Sequence, residues 1–241
     1  MFHRKKIKKK NELRLKHYQN LTLNLLKNNT LPLTPEEKIN GVNKINKILI
    51  SGVQQRIFER GVLKNDFSYN HYDHRYFFET YGIVPKCPTC GEIESEENHH
   101  SLKNPITFYP NADPLLSFPW NQSRIDTLQY IGFRTGHPFT NHPSNHFSTY
   151  FYPINLFLAT NGFHSQFSGI YDNGEFATAQ QLIDISQFYD HYFFDGNHFR
   201  HYICNKIVDT PEDLEIGILY ELGRIYLDFE LNFKSYYKLK P

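Results

Sequence analysis

The chain has 241 residues, of which 39% are hydrophobic and 16% aromatic, including 21 Phe and 17 Tyr. This aromatic content excludes a disordered chain, and the length allows one large domain or two small ones. The formal net charge is only +1, but it is unevenly distributed. Abundant Asn, Lys, Ile, Phe and Tyr are typical of an AT-rich coding sequence, as in a low-GC bacterium, its phages or a mobile element.

The basic residues are concentrated at the N-terminus. The first 16 residues carry eight Lys and Arg against one Glu, whereas the remainder carries 18 basic and 24 acidic residues. Residues 4–16 are therefore candidates for contact with nucleic acid or an anionic membrane. The alternative interpretation, which we favour from the sequence, is a solvated and partly frayed terminus.

Two features indicate the cellular compartment. No apolar run approaches membrane-spanning length, so we expect no signal peptide, no transmembrane helix and no membrane partner. Three Cys, two of them in a Cys-x-x-Cys, do not form a secreted disulfide framework. We expect a cytoplasmic protein, and the sequence indicates no oligomeric state.

The N-terminal part is predicted to be helical. Leu13 to Leu26 has a weak helical pattern. Thr34-Pro35-Glu36-Glu37 is a helix start, with Thr as N-cap, Pro in the first turn and acids near the helix dipole. Gly61 is a candidate end for that helix. These patterns predict a basic arm at 1–30 and a helical region at 31–85.

Residues 86–103 form a small Cys/His module. Cys87-Pro88-Thr89-Cys90-Gly91 resembles a zinc knuckle, in which two thiolates sit on a tight turn. His99 and His100 follow and would complete a Cys2His2 site for structural zinc. An unmetallated turn with free thiols is the alternative. The nearby Glu97 to His100 string also resembles the start of a His-Asn-His nuclease, but the Pro-rich segment that follows does not fit that fold.

The C-terminal part, 104–241, is predicted to be a mixed sheet with helices. Its four prolines make 104–119 an extended linker or an edge segment, and a helix is expected from Trp120 to Tyr130. Strands are predicted at 147–152 and 154–159, adjacent to each other, and along 180–195, with a turn at Asp195-Gly196. Thr210 is expected to cap the last helix. The whole chain is therefore predicted to be α+β.

Tyr152 to Glu175 is the most informative stretch. An apolar strand leads into Asn161-Gly162, then His164 and Ser165, with Ser165 at the expected N-cap of a short helix. Such a turn directs backbone N–H groups at one point, which suits a phosphate or carboxylate. An ordinary strand-to-helix turn is the alternative.

The Gly-x-His-Ser turn resembles the ParB/sulfiredoxin superfamily, in which a Gly-x-His-Arg or Gly-x-Arg-Arg turn binds nucleotide phosphates. Here Ser165 replaces the arginine. Residues 104–228 resemble more closely an uncharacterised bacterial family, domain of unknown function sixty-seven ten. The motifs that carry this resemblance are Trp120-Asn121, Arg124, Ile131-Gly132, Asn145-His146, Pro153, Asn161 to Ser165, Gly169-Ile170, Asp195-Gly196 and Glu221-Leu222-Gly223-Arg224.

The resemblance implies further partners for the same pocket. Arg124 would supply the missing cation, since its guanidinium binds phosphate or carboxylate well. Asn145 and His146 would face the turn, and Asp195 would lie at a strand end. The plainer alternatives are a surface residue for Arg124 and a turn residue for Asp195. Glu221 with Arg224 is expected to be a structural ion pair.

These observations lead to two hypotheses. The first is a nucleotide- or phosphate-ligand-binding protein, in which Asn161, Gly162, Ser165, Arg124 and Asn145 hold the ligand. Its candidate catalytic groups are His164, His146 and Asp195. The second is a non-catalytic module that binds protein or nucleic acid through the basic arm and an aromatic-rich surface. The sequence does not decide whether the protein is an enzyme.

Overall fold

The computed structural model describes residues 2–28, 30, 32–64, 89, 99–118 and 138–238. Helices form the N-terminal part and a mixed sheet forms the C-terminal part, so the predicted α+β class is confirmed. The helices are α1 (Phe2–Leu26), α2 (Pro35–Lys64), α3 (Phe163–Gly169), α4 (Leu214–Asp228) and α5 (Phe233–Lys238). The strands are β1 (His99–Phe108), β2 (Leu115–Leu116), β3 (Phe147–Tyr152), β4 (Leu156–Asn161), β5 (Ala177–Asp184), β6 (Tyr192–Phe194), β7 (Phe199–His201) and β8 (Ile207–Asp209).

The two N-terminal helices are both longer than the sequence predicted. The predicted start of α2 is confirmed, because Thr34 Oγ1 accepts the Glu37 N–H at 3.2 Å and Glu37 Oε2 accepts the Thr34 N–H at 2.8 Å. This reciprocal pair is a capping box. Gly61 does not end the helix, which continues to Lys64. Gly61 is buried, and packing of a buried helix face outweighs the weak helix propensity of glycine.

Five strands form the main sheet in the order β1-β5-β3-β4-β2. β3 lies next to β4, as predicted, and pairs with it antiparallel, whereas it pairs with β5 parallel. β1 is an edge strand whose register shifts between Ser101 and Ile106. Pro105 lies in this irregular part, where a missing N–H costs no ladder hydrogen bond. Of the predicted linker or edge segment at 104–119, residues 104–108 belong to the edge strand β1 and residues 115–116 form the opposite edge strand β2.

The single strand predicted along 180–195 was wrong. β5 ends at Asp184, whose Oδ1 accepts hydrogen bonds from the Ser186 N–H at 3.0 Å and from Ser186 Oγ at 2.6 Å. This local turn leads into a 3₁₀ helix, Ser186–Asp190, and only then into β6. β6, β7 and β8 form a separate antiparallel sheet.

Helix α4 packs against α1, α2 and β6, and most of its side chains are buried. Its N-cap is Asp213 and not Thr210, so the predicted helix start was wrong. The Asp213 carboxylate does not cap the helix, because it accepts two hydrogen bonds from Arg56 of α2. The N-terminal helices and the C-terminal part thus share one hydrophobic core. Across the described residues, no helix combines the length and the apolar composition needed to cross a membrane.

Candidate functional site

The turn between β4 and α3 requires glycine. Gly162 has φ +68°, and a Cβ placed there would lie 2.4 Å from His146 Cδ2 and 2.9 Å from the Asn145 carbonyl oxygen. Both the left-handed backbone and the close approach therefore exclude a side chain. The structure brings Asn145 and His146 against the Gly162 turn, as the sequence analysis proposed.

The predicted role of Ser165 as N-cap was wrong. Gly162 is the N-cap of α3, and its carbonyl accepts the Gln166 N–H at 3.0 Å, so Ser165 is the third residue inside the helix. The helix begins earlier because glycine adopts the left-handed conformation directly after β4. Within the described residues, no side-chain hydrogen bond caps α3. The first-turn N–H groups of such a helix have no intrahelical acceptor.

His146 is a neutral imidazole beside this turn. Its Nδ1 accepts the His142 N–H at 2.9 Å, which leaves the proton on Nε2. The ring stacks on Phe139 with centroids 5.1 Å apart. Burial, with a smaller contribution from His142, lowers the pKa of His146 to about 4. His146 is therefore a hydrogen-bond donor at neutral pH and a poor general base.

A groove of about 530 Å³ opens beside the turn, across strands β1, β5, β3 and β4. Most of its lining side chains carry hydroxyl or amide groups, and its lining residues include no charged side chain. They are Ser101, Leu102, Phe147, Ser148, Thr160, Asn161, Gln180 and Gln181. The Phe147 side chain is an exposed aromatic ring in this groove, with 37% of its surface accessible. Asn161 belongs to both the groove and the turn, because its Oδ1 accepts the Gly162 N–H at 2.8 Å.

Two amide groups in the groove are available to a ligand. The carbonyl oxygen of Asn161 is occupied by Gly162, and that of Gln181 accepts the Thr149 hydroxyl at 3.2 Å. In the part of the chain that the structure describes, neither NH₂ group has a protein acceptor. The groove therefore presents hydrogen-bond donors, which suit a ligand rich in acceptor atoms.

Two glutamines that the sequence analysis missed hold this region together. Gln166 is fully buried, and its amide donates to the Phe147 carbonyl at 3.1 Å and to the Asn161 carbonyl at 2.8 Å. Gln180 accepts the Ser148 N–H at 3.0 Å and donates to the His146 carbonyl at 3.3 Å. They satisfy backbone groups left by the register shift next to Ser148. No local sequence signal marks these two glutamines, because other polar residues flank both of them and their partners include backbone groups of distant strands.

Asp195 lies away from this turn, between strands β6 and β7 of the smaller sheet. Its carboxylate accepts the N–H groups of Asn197 and His198, each at 2.8 Å, and is ion-paired with Arg200. Burial alone would raise the pKa of Asp195, but these hydrogen bonds outweigh it and hold the pKa below its usual value. The structure thus gives Asp195 the role of a turn residue.

Glu221 and Arg224 form the structural pair expected from the sequence. The two side chains are 3.3 Å apart on α4, and Glu221 also accepts the Phe194 N–H at 2.8 Å. Arg224 donates to the carbonyl groups of Tyr189 and Tyr192, each at 2.8 Å. Through these hydrogen bonds, the pair connects α4 to the 3₁₀ helix and to β6.

The remaining predicted site residues are described only in part. Arg124, Cys87 and Cys90 lie outside the described residues, and so does the helix predicted from Trp120. His99 and His100 are the first two residues of β1, and the His100 side chain is exposed. His164 is buried in α3, with 7% of its surface accessible. Among the described residues, no group of three or more His, Cys, Asp or Glu is arranged to hold a metal ion.

Comparison with known proteins gives one match. A model described as "Family of unknown function (DUF6710)" matches residues 1–233. No curated protein and no solved structure matches the chain. The resemblance of the turn to the ParB/sulfiredoxin superfamily receives no support from these comparisons.

Proposed function

The chain belongs to the DUF6710 family, and from its own geometry we propose that it binds a nucleotide in the groove beside Gly162. The observation that carries this proposal is the joint presence of an exposed Phe147 ring and the two amide donors of Asn161 and Gln181 in one groove. The binding of a phosphate ligand at residues 154–170, expected from the sequence, is part of the same proposal.

The base would occupy the part of the groove next to Phe147. An exposed aromatic ring offers a stacking surface to any nucleobase. The amide NH₂ groups of Asn161 and Gln181 would donate to the ring nitrogens or carbonyl oxygens of the base. Hydroxyl groups of Ser101 and Thr160 line the same groove and would bind the sugar.

The phosphate would lie at the start of α3. Phe163 and Ser165 lie in the first turn of this helix, and their N–H groups would bind the anion. Arg124 would neutralise the phosphate, and Asn145 and His164 would shape the pocket.

No reaction is assigned to this site. The structure makes His146 a neutral donor and gives Asp195 a role in the smaller sheet. Of the proposed catalytic groups, His164 and His146 remain next to the turn. We therefore propose ligand binding as the function, and in this proposal the Nε2–H group of His146 donates a hydrogen bond to the ligand.

Removing the Phe147 ring tests the base-binding part. Phe147→Ala should weaken binding of nucleoside phosphates about 5-fold or more, since stacking of one base on an aromatic ring contributes roughly 1–3 kcal/mol. Isothermal titration with a panel of nucleoside mono-, di- and triphosphates measures this. Phe176→Ala is the matched control, because Phe176 has a similar exposure of 41% and does not line the groove. Equal affinity of wild type and Phe147→Ala would reject the proposal.

We also propose that the Cys/His module holds one structural zinc ion. Cys87 and Cys90 would supply thiolates, and one of His99 and His100 would add a third ligand, because adjacent residues of β1 point to opposite faces of the strand. Elemental analysis of protein purified without chelator should find about one zinc per chain, from the four-ligand chemistry of such sites. Cys87→Ser should lose the zinc ion, whereas Cys204→Ser, at a cysteine distant in sequence, should keep it. A metal content that is the same in both variants contradicts this site.

A further inference from the structure

Helix α1 is fixed to the body along one face. Leu15, Thr22 and Leu26 are buried. Arg14 is ion-paired with Glu215 of α4 at 2.9 Å, and Asn11 donates to Asn197 at 3.1 Å. The N-terminal segment is therefore a docked helix over its described side chains, and the interpretation as a frayed terminus is not supported.

The opposite face of α1 carries a row of lysines. At 100° per residue, five exposed lysines fall within about one third of the helix circumference. They are Lys6, Lys9, Lys10 and Lys16 in the first two thirds of α1, and Lys27 directly after its last residue. In the described part of the chain, none of the five forms an ion pair with a carboxylate. The row extends for about 30 Å at a rise of 1.5 Å per residue.

The remaining residues of this lysine face are mostly polar. His17, Asn20 and Asn24 lie between the lysines, and Leu13 is the one large apolar side chain among them that is exposed. The only acid between residues 6 and 28 is Glu12. It lies at the edge of the lysine face, where it contacts Gly196. A membrane-surface helix needs a broad apolar face, but the apolar side of α1 is turned inward against the body.

We propose that the lysine face of α1 binds the phosphate backbone of double-stranded DNA. The row is about as long as one turn of B-DNA, and the major groove of B-DNA admits an α-helix. The deep, narrow groove of A-form RNA does not. Because the residues beyond 16 carry a net negative charge, repulsion from the rest of the protein would orient α1 towards the DNA.

Fluorescence anisotropy with a labelled random-sequence DNA duplex tests this. Replacing Lys6, Lys9, Lys10 and Lys16 by Gln should weaken binding about 10-fold or more at moderate salt. The plot of log K against log salt should become less steep by about 3–4, because each lost phosphate contact removes roughly 0.9 from the magnitude of its slope. The control replaces Lys38, Lys44, Lys103 and Lys206 by Gln, which removes the same charge elsewhere, and should leave affinity and slope nearly unchanged. Thermal unfolding followed by circular dichroism verifies that both variants fold.

Three outcomes would overturn the proposal. An equal loss of DNA affinity in both variants would mean that only net charge matters. Unchanged DNA affinity in the α1 variant would mean that the lysine face does not bind DNA. Sedimentation with vesicles containing anionic lipid distinguishes the membrane alternative. Vesicle binding that needs the α1 lysines, without DNA binding, would assign the face to a membrane. Phe147→Ala should bind DNA normally, so a failure of nucleotide binding would not be mistaken for a failure of this proposal.

Discussion

Gly162 is the residue on which the site geometry depends most directly. Gly162→Ala places a Cβ against His146 in a left-handed backbone. We expect the unfolding free energy to fall by about 1–3 kcal/mol. The left-handed conformation is strained for a residue with a Cβ, and the neighbouring groups must move to make room for it. Urea unfolding measures the loss.

Gly52 provides the matched control for that substitution. It lies inside α2, and a Cβ there would be no closer than 3.7 Å to the nearest side chain. Gly52→Ala should therefore stabilise the protein by about 0.5–1 kcal/mol through better helix propensity. If both alanine variants changed stability in the same direction, the strained role of Gly162 would be wrong.

His146 predicts a pH dependence of stability. Its folded pKa of about 4 lies below the unfolded value near 6.5. Between these values the unfolded chain binds more protons than the folded protein, so stability is complete above about pH 6.5 and falls as the pH is lowered towards 4. The contribution of His146 is at most about 3 kcal/mol, at 1.36 kcal/mol per pKa unit.

Urea titrations across this pH range isolate that contribution. His146→Gln should lose less stability between pH 6.5 and 4 than wild type does, because the titrating group is gone. His142→Gln, at an exposed neighbouring histidine, should keep most of the wild-type loss. If the unfolding free energy of wild type and of His146→Gln fell equally between pH 6.5 and 4, the lowered pKa of His146 would be contradicted.

At the site, the resemblance to the family implied that Asn145 and His146 face the Gly162 turn. The helical spacing of Glu221 and Arg224 predicted their pairing. Ser165 was misplaced because a serine hydroxyl and a left-handed glycine are both good helix starts, and only the backbone conformation distinguishes them. Gln166 and Gln180 were missed because their partners are backbone groups of other strands.

At the scale of elements, an ion cluster joins three helices. Arg56 of α2 lies 2.8 Å from Asp213 and 2.5 Å from Glu215, and Arg14 of α1 also pairs with Glu215. Both carboxylates are largely buried. Burial raises the pKa of Asp213 more than the hydrogen bonds from Arg56 lower it. For Glu215, burial is outweighed by the hydrogen bonds from Arg56 and Arg14, so its pKa is lowered.

Removing Arg56 should leave these carboxylates without their main partner. We expect Arg56→Ala to lower the unfolding free energy by about 2 kcal/mol at pH 7. The deficit should shrink as the pH falls through the carboxylate range, because a protonated carboxyl needs no cation. Arg60→Ala, one turn further along α2, is the control and should cost much less. A deficit that is independent of pH would contradict the role of the cluster.

Elements with strong local signals were predicted well. The capping box at Thr34 and the adjacent strands β3 and β4 follow from turn residues and apolar runs. The region 180–195 was not, since an Asp184 turn and a 3₁₀ helix interrupt an apolar pattern that reads as one strand. The start of α4 was displaced because Asp213 is held by Arg56, a contact distant in sequence.

At the scale of the whole molecule, the two proposed activities use separate surfaces. The groove lies on strands β1, β3, β4 and β5, and the lysine face lies on α1, which contacts α4 and α2. The order of strands in the main sheet places Ser101, Phe147 and Gln181 together although they are far apart in sequence. This arrangement is why the groove could not be predicted from one sequence, whereas the turn beside it could.

Native mass spectrometry most directly tests nucleotide binding at the groove. Protein purified under mild conditions and protein mixed with common nucleotides should both be compared, followed by denaturing identification of what is released. We predict a bound nucleotide in wild type that is lost in His164→Ala and reduced in Phe147→Ala. His201→Ala, at another buried histidine that lies in the smaller sheet, should retain it. Absence of nucleotide binding in wild type, or equal retention in all the variants, would contradict the central claim.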